Sequence, residues 1–225
     1  MTITPTASDY SGQQVLVGRD FDRVRNSPLL AGKEIIAVGA FSVLFNGETP
    51  GSIYRLSTDN ATHDFARRAK HEGLAGAVNL LDDYGAVAIY REDQSHPDYL
   101  WLAHLERLAP LQKDSTQHQS VAQVLLYLTG EEDGSLLTEI DERKSVIASL
   151  PRAPKSTHTK LVLDAMASLL PEYLHNIDFD LSISNFMIRP STGDVVMSDP
   201  VHGLSKVSAE WHRYLKDEPV KFEKR

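Results

Sequence analysis

The sequence contains no cysteine, and this absence excludes several kinds of chemistry. Disulfide frameworks, iron–sulfur clusters and thiolate nucleophiles all require cysteine side chains. Long apolar runs are also lacking: no stretch of about 18 apolar residues occurs, so we expect no membrane-spanning helix. The polar start MTITPTASDYSGQQ does not have the apolar core of a signal peptide, which predicts a cytoplasmic protein.

Positive charge is scarce, with 23 Lys and Arg against 31 Asp and Glu and a net charge of −8. Proteins that bind duplex nucleic acid neutralise its phosphates with clustered basic side chains. We therefore expect no direct binding of nucleic acid. The sequence also has no HExxH motif, no Gly-x-Ser-x-Gly elbow and no Gly-Lys-Ser/Thr of a P-loop. These absences disfavour zinc hydrolases, α/β-hydrolases and P-loop enzymes.

The first part of the chain has the pattern of a β-rich unit. Two β-rich runs, Ile35–Phe45 and Ser52–Leu56, flank NGETPG, whose Asn-Gly and Pro-Gly pairs are hairpin signals. A helix with Phe65 and Ala69 on one face follows, and Gly73 is its expected end. Two further strands, within GAVAIYRE and YLWLAHLERL, lie on either side of the turn-rich DQSHPD.

From Pro110 onward the apolar period becomes helical. QHQSVAQVLLYLTG, with a cap at Ser115 or Thr116, and STHTKLVLDAMASLLPEYL each predict an amphipathic helix. Short extended pieces at Phe186–Arg189 and Val195–Ser198 are separated by the turn PSTGD. This order predicts an α+β fold with a β-rich lobe over residues 1–108 and a helical lobe over residues 109–225.

Three polar residues near the end of the chain predict a magnesium-dependent site. Asp180 and Asn185 lie in DFDLSISNFM, and Asp199 lies in MSDP. In phosphoryl transfer one carboxylate orients the attacking hydroxyl, while an amide oxygen and a second carboxylate hold magnesium. The intervening FMIRPSTGDVVMSD is expected to fold back as a hairpin that brings Asp199 beside Asn185. The alternative is structural, because Asp and Asn near turns commonly bond their own backbone.

A second signal lies about 140 residues upstream, in GAFSVLF and SIYRL. Gly39 lets the backbone pass close to a phosphate, and Phe41 can shield the site from water. A lone glycine in a strand pair also marks a bulge or bend.

Together these segments resemble the protein kinase fold, and they are most similar to the early serine/threonine protein kinases of short-tailed lytic bacteriophages. The similarity rests on GAFSVLF, FDLSISNFM and SDPV, and it spans roughly residues 35–202. It implies a two-lobed α+β fold with a shortened helical C-terminal lobe, and ATP and Mg²⁺ as cofactors. It also implies that bacterial host or phage proteins are the substrates, in host shut-off or counter-defence.

The resemblance implies roles for individual residues of the C-terminal segment. Asp180 would accept or orient the proton of the substrate hydroxyl. Asn185 and Asp199 would bind magnesium. Asp178 fits a solvated or capping role better than that of a second base.

The resemblance also assigns the N-terminal segment. The backbone of four residues would cradle the phosphates of ATP: Gly39, Ala40, Phe41 and Ser42. Arg55 stands where these kinases have the strand lysine that pairs with the α- and β-phosphates, so it would contact the nucleotide and act in catalysis. Asp64 or Glu72 on the following helix could pair with Arg55, and the sequence does not choose between them. The alternative for each acid is an ordinary place on the surface of that helix.

Three departures from the kinase pattern keep other functions open. Arginine replaces the strand lysine and is bulkier. Asp178-Phe179 replaces the usual His-Arg before the catalytic aspartate, and Pro200 replaces the Phe of the usual Phe-Gly after the metal aspartate. A pseudokinase that binds and inhibits a host protein is therefore one alternative. A kinase of a small molecule is another, because related folds share the same metal loop.

Overall fold

A computed structural model of the protein describes residues 16–90 and 98–203, together with residues 222 and 224. The polar start and most of the predicted turn DQSHPD lie outside the described residues. The chain divides into two compact units. The first contains the described residues up to Asp59, Leu81–Leu105 and residues 222 and 224, and the second contains Asn60–Leu80 and the described part of Glu106–Ser205.

The architecture is mixed α and β, as the sequence predicts. The helices described are α1 (Arg19–Arg25), α2 (Asn60–Glu72), α3 (Thr116–Thr129), α4 (Ile140–Ser149) and α5 (Lys160–Tyr173). The strands described are β1 (Ile35–Val38), β2 (Ser42–Asn46), β3 (Ser52–Ser57), β4 (Leu80–Tyr90), β5 (Asp98–Glu106), β6 (Ala109–Pro110), β7 (Leu136–Leu137), β8 (Asp178–Asp180), β9 (Phe186–Ile188), β10 (Val195–Met197) and β11 (Val201–His202). None of the described helices has both the length and the apolar composition that a membrane span requires.

The first unit is built on a five-stranded sheet in the order β1-β2-β3-β5-β4. The single β-rich run expected over residues 35–45 is two antiparallel strands, because the chain reverses at residues 39–41 and pairs Val38 with Val43. The predicted NGETPG turn joins β2 to β3, and the Gly47 amide donates to the Ser52 carbonyl at 3.0 Å. Side chains alternate across this hairpin, so that Phe45 opposite Tyr54 is buried in the core.

The second unit has its own apolar core, formed by one face of each helix. In α2, Phe65 and Ala69 are buried as predicted, and the helix gives way to Gly73, which adopts a left-handed φ of 67°. In α3 the apolar face is buried, and the predicted cap is Ser115, whose hydroxyl accepts a hydrogen bond from the His118 amide at 3.1 Å. The helix predicted around residues 160–173 is α5.

Several short elements of the second unit are not predicted by the sequence. These are helix α4 and the strands β6, β7, β8 and β11. Strands β11, β8 and β7 form one small sheet, and β10, β9 and β6 form another. Strand β6 lies within the connecting segment LERLAPL and pairs Ala109 with Ile188 of β9.

The two compact units and the two predicted lobes are not the same segments. The sequence places a lobe boundary near residue 108, and the chain passes from the first unit to the second between Leu105 and Glu106. Helix α2, which the sequence assigns to the N-terminal lobe, belongs to the second unit. A compact unit is defined by packing and need not coincide with a functional lobe, so the division into lobes stays a prediction.

Candidate functional site

In the second unit, Asp180 is the last residue of a strand that is paired on both sides. Strand β8 lies between β7 and β11, with Phe179 opposite Leu137 on one side and Val201 on the other. Phe179 is fully buried in the core of this unit. Because side chains alternate along a strand, Asp180 points to the opposite face from Phe179. The Asp180 amide donates to the Pro200 carbonyl at 3.0 Å, so the backbone at this position is fixed.

The segment just before β7 holds the loop that begins at Asp180 and covers residues 180–185. The Leu181 amide donates to the Ser135 carbonyl at 3.1 Å, and the Ile183 amide donates to the Asp133 carbonyl at 2.8 Å. Gly134 between them has a φ of 70°, and a Cβ there would lie 1.9 Å from the Leu181 carbonyl oxygen. Only glycine satisfies both conditions, so the close approach that fixes the loop depends on it.

The carboxylate of Asp180 is partly engaged within its own loop. Its Oδ1 accepts hydrogen bonds from the Ser182 hydroxyl at 2.5 Å and from the Ser182 amide at 3.3 Å. This is the local bonding that the structural alternative predicts for an aspartate at a turn. Its Oδ2 receives no hydrogen bond or ion pair within the described part of the chain. One oxygen therefore fixes the orientation of the group, and the other remains able to accept a proton or a hydrogen bond.

Asn185 is held with its amide oxygen turned away from the loop backbone. Its side-chain Nδ2 donates to the Asp180 carbonyl at 3.0 Å, and its backbone carbonyl accepts from the Ser198 amide at 2.8 Å. A carbonyl can only accept, so the nitrogen of the Asn185 amide must face Asp180. Its Oδ1 meets no donor among residues 16–90 and 98–203. This arrangement leaves an oxygen as the ligand atom that the side chain can offer to a hard cation.

The predicted hairpin is present, and its strand pairing brings the residue before Asp199 into contact with Asn185. Strands β9 and β10 pair antiparallel, with Met197 opposite Phe186, and Gly193 in the turn has a left-handed φ of 78°. Beyond the paired strands, the Ser198 amide and hydroxyl both donate to the Asn185 carbonyl, at 2.8 and 3.1 Å. Asp199 is the next residue, so the hairpin register carries it to the end of the loop that holds Asn185.

A threonine that the sequence does not single out contacts the proposed metal aspartate. The Thr62 hydroxyl, in the first turn of α2, donates to Asp199 Oδ1 and lies 3.0 Å from the Val201 carbonyl oxygen. Thr62 is 2% exposed. In the sequence it is one of several polar residues at a helix start, so no local signal distinguishes it from an ordinary capping residue.

Asp178 has a structural partner, which agrees with the minor role expected for it. Its Oδ1 accepts from Arg143 Nη1 at 3.2 Å, and the same nitrogen donates to the Ile177 carbonyl. Arg143 lies on α4 and is buried, while about a third of the Asp178 side chain is exposed. Arg143 thus ties α4 to the start of the strand that carries Asp180. Neither α4 nor this arginine could be found from the motif alone.

Replacing Arg143 with methionine is expected to lower the free energy of unfolding by about 1–3 kcal/mol, since it leaves the Ile177 carbonyl and Asp178 without their donor. Urea denaturation measures this change. Lys144→Met is the matched control, because Lys144 is the next residue of α4 but makes only an exposed ion pair with Asp141 at 3.0 Å. Exposed pairs contribute about 0–1 kcal/mol, so the control should change stability little. Equal losses in the two variants would contradict the anchoring role of Arg143.

The donor set of this segment fits magnesium that arrives with a nucleotide. Within the described residues, no three or more histidine, aspartate or glutamate side chains come together as a metal-binding group. Asn185 and Asp199 offer instead one amide oxygen and one carboxylate. Magnesium commonly keeps several waters and takes one or two carboxylates together with substrate phosphates. Asn185 and Asp199 thus offer the oxygen atoms that such a magnesium ion takes, and its binding by these residues stays a prediction.

In the first unit, the turn between β1 and β2 is held at its tip. We call residues 39–41 the glycine turn. The Gly39 amide donates to the Ser42 carbonyl at 2.8 Å. The Phe41 carbonyl accepts from the Thr58 amide at 2.9 Å and from the Ser57 hydroxyl at 3.0 Å, which fixes the turn to the end of β3. The Phe41 side chain is 38% exposed, and its role in covering a ligand stays a prediction.

Arg55 lies on the third strand and on the face opposite the core of the first unit. It pairs across the hairpin with Leu44, while its neighbours Tyr54 and Leu56 pair with Phe45 and Val43. Alternation places those neighbours in the apolar core and Arg55 on the other face. Arg55 is nevertheless only 7% exposed. Its guanidinium is thus held within the protein and not spread into solvent.

The open space around Gly39 allows a substitution that tests whether this glycine serves the fold or a ligand. Gly39 is not in the left-handed region, and a Cβ added there would meet only the Ser42 hydroxyl at 3.4 Å and the Ser42 carbonyl oxygen at 3.9 Å. We expect Gly39→Ala to change the free energy of unfolding by less than about 1 kcal/mol, whereas it should weaken ATP binding by blocking close approach of a phosphate. Titration with ATP and Mg²⁺ measures the affinity. Gly51→Ala, in the turn between β2 and β3, is the control, because a Cβ added there meets no described atom within 4 Å. Unchanged affinity in folded Gly39→Ala would contradict the phosphate-binding role.

The two acids proposed as partners of Arg55 have partners on helices of the second unit. Asp64 accepts from Arg68 Nε at 2.8 Å and from the Tyr173 hydroxyl at 3.0 Å. Burial alone would raise the pKa of the Asp64 carboxyl, but hydrogen bonds from Arg67, Arg68 and Tyr173 hold it below its usual value. Glu72 accepts from the Ser168 hydroxyl at 2.6 Å. The pairing of either acid with Arg55 stays a prediction.

Comparison with known proteins does not assign the chain to a family. No family model matches the sequence, and no curated protein matches it.

Proposed function

We propose that the chain is a serine/threonine protein kinase with the two-lobed fold of the phage enzymes. It transfers the γ-phosphate of ATP, with magnesium, to hydroxyl groups of host or phage proteins in the cytoplasm of an infected bacterium. The observation that carries the proposal is the bonding of Asn185. The side-chain Nδ2 of Asn185 donates to the Asp180 carbonyl. The backbone carbonyl of Asn185 accepts from the amide of Ser198, the residue before Asp199. Hydrogen bonds thus join Asn185 to Asp180, and the β9–β10 pairing joins it to the residue before Asp199. Asp180, Asn185 and Asp199 are the three residues that the proposed phosphoryl transfer needs.

The order of the elements supports the same proposal. In protein kinases a glycine-rich loop precedes a cation on the third strand, a helix follows, and the catalytic loop and metal aspartate come later in the chain. Here the glycine turn lies between β1 and β2, Arg55 lies on β3, and α2 follows. The loop at residues 180–185 begins at the last residue of β8, and Asp199 comes after β10. A purely structural role for each residue would not require them to occur in this order.

In the proposed reaction, a serine or threonine hydroxyl of the substrate protein attacks the γ-phosphorus of ATP. The new bond joins the hydroxyl oxygen to phosphorus, and the bond from phosphorus to the β–γ bridging oxygen breaks, which releases ADP. Asp180 orients the hydroxyl through Oδ2 and takes its proton. Arg55 balances the charge on the phosphate oxygens, and the amides of the glycine turn bind them. Magnesium, held by Asn185 and Asp199, would neutralise charge on the β- and γ-phosphates.

Transfer of radiolabelled phosphate from ATP tests the proposal. The full chain is incubated with Mg²⁺ in buffer alone, with bacterial lysate, and with small hydroxyl-bearing acceptors such as aminoglycosides. Labelling of lysate proteins on Ser or Thr, lost in Asp180→Asn, supports a protein kinase. Labelling of the small acceptors only would support the small-molecule kinase instead.

A second candidate is a pseudokinase, and the observation that favours it is the burial of Arg55, which stands in place of the strand lysine. An arginine side chain that is only 7% exposed can adjust its position to the transferred phosphate less than a flexible lysine can. A pseudokinase would show no transfer in any of these mixtures. It would also keep its effect on host cells when Asp180 is replaced by asparagine, whereas an active kinase would lose that effect.

A further inference from the structure

We propose that Thr62 is a positioning residue that fixes the carboxylate of Asp199 for magnesium. This inference rests on the proposed function, because it takes Asp199 as a ligand of the magnesium that accompanies ATP. It adds a residue of α2 to a site that the sequence confines to the loop at residues 180–185 and the β9–β10 hairpin. The observation behind it is the hydrogen bond from the Thr62 hydroxyl to Asp199 Oδ1.

The hydroxyl of Thr62 has two acceptors and one hydrogen. Besides Asp199 Oδ1, the carbonyl oxygen of Val201 lies 3.0 Å away. A charged carboxylate oxygen accepts a stronger hydrogen bond than a neutral carbonyl oxygen, so the hydrogen belongs mainly to Asp199. The Val201 contact keeps the hydroxyl in place between the two acceptors. Together the contacts restrict rotation of the Asp199 side chain about its Cα–Cβ bond.

Helix α2 can serve as a rigid support for this hydroxyl. Its first turn is bound to the strand segment a second time, through the Ala61 amide and the Gly203 carbonyl at 3.4 Å. Further along, Phe65 packs on Tyr173 with ring centroids 6.1 Å apart. Near its end, Glu72 accepts from Ser168 of α5. The helix is thus fixed along its length, and Thr62 has little freedom to follow a displaced carboxylate.

Residues that orient a metal ligand commonly contribute a factor of 10–100 to metal affinity. Loss of the Thr62 hydroxyl should therefore weaken the magnesium dependence of nucleotide binding without removing a ligand. Thr62→Val keeps the branched shape and deletes the donor. Thr62→Ser keeps the donor, and Thr62→Cys supplies a weak one. The expected order of half-saturating Mg²⁺ is wild type equal to Ser, then Cys, then Val.

The test is binding of a fluorescent ATP analogue to the full chain during titration with Mg²⁺. We expect Thr62→Val to raise the half-saturating Mg²⁺ concentration by about tenfold and Thr62→Ser to leave it within about twofold of wild type. If Thr62→Val does not fold, Thr62→Cys carries the test, with an expected rise between these two. Thr159→Val is the matched control, because Thr159 is 1% exposed and its hydroxyl accepts from the Ser156 amide at 3.0 Å, in the segment before α5.

Four results decide the matter. A rise in the Val or Cys variant with none in Thr159→Val supports the inference. No rise in the folded variants overturns it, while magnesium-dependent binding by the wild type would leave the kinase proposal standing. An equal rise in Thr159→Val also overturns it, since a general loss of stability would then be the cause. A wild type that binds no nucleotide at any Mg²⁺ concentration overturns the proposed function and this inference with it.

Discussion

Asp199→Asn is expected to abolish the magnesium dependence of ATP binding and to lower phosphotransfer by at least about a hundredfold. The reason is the loss of the only carboxylate that the proposal assigns to the metal. Asparagine keeps an oxygen in the place of Oδ1, so the Thr62 hydroxyl retains its acceptor and the fold should survive. Nucleotide titration with and without Mg²⁺, together with radiolabel transfer, measures both effects.

Asp178→Asn is the matched control for this prediction. Asp178 is also a carboxylate of the second unit, but it lies at the start of β8, its contact is with Arg143 and its proposed role is structural. Its replacement should reduce stability moderately and leave the half-saturating Mg²⁺ concentration unchanged. If the two variants lose activity equally, or if folded Asp199→Asn transfers phosphate at the wild-type rate, the metal role of Asp199 is wrong.

The β9–β10 hairpin could be predicted from sequence because its signals are local. Short β-rich runs at residues 186–189 and 195–198 enclose PSTGD, and Gly193 takes the left-handed conformation that the turn requires. The same is true of α2, α3 and α5, whose apolar faces are buried as their spacing predicts. Local patterning also places Arg55 correctly on a strand, since alternation along SIYRL separates it from Tyr54 and Leu56.

The contacts that hold the candidate site and the residues beside it could not be predicted, because the two partners of each contact are distant in sequence. Thr62 is 137 residues from Asp199, and Arg143 is 35 residues from Asp178. Gly134 meets Leu181 only after β7 and β8 have paired. Each of these residues looks ordinary in its own segment: a polar residue at a helix start, a helix cation and a turn glycine. Their roles arise from tertiary packing, which one sequence does not encode locally.

The reversal within residues 35–45 depends on contacts with a later strand. A continuous β-rich run predicts one strand, and Gly39 has neither a left-handed conformation nor a tight neighbour that would mark a turn. The turn is fixed instead by Ser57 and Thr58 at the end of β3, which bind the Phe41 carbonyl. A glycine that is not required by its backbone conformation is a candidate for a ligand-binding role, and the Gly39→Ala experiment tests this.

Arg55→Met is expected to lower phosphotransfer by about a hundredfold or more, since it removes the positive charge that the proposal places on the phosphates of ATP. Methionine keeps much of the side-chain volume, so packing around the buried strand position is disturbed as little as possible. Arg55→Lys restores the charge with the residue that protein kinases carry on the third strand, and it should keep activity or raise it. Radiolabel transfer and ATP titration measure these effects, and urea denaturation reports stability.

The control for Arg55 is a second arginine of the same unit that has a structural role. Arg25 donates to the carbonyls of Leu30 and Lys33, and its guanidinium lies 5.0 Å from the centre of the Phe45 ring. Arg25→Met should therefore reduce stability while changing the phosphotransfer of the folded protein little. A pseudokinase predicts a different pattern: no transfer by wild type, no gain in Arg55→Lys, and an unchanged effect on host cells in every variant that folds. Transfer that survives in folded Arg55→Met would separate a third case, in which the protein is a kinase but the arginine serves only the fold, because charge at the phosphates would then come from another residue.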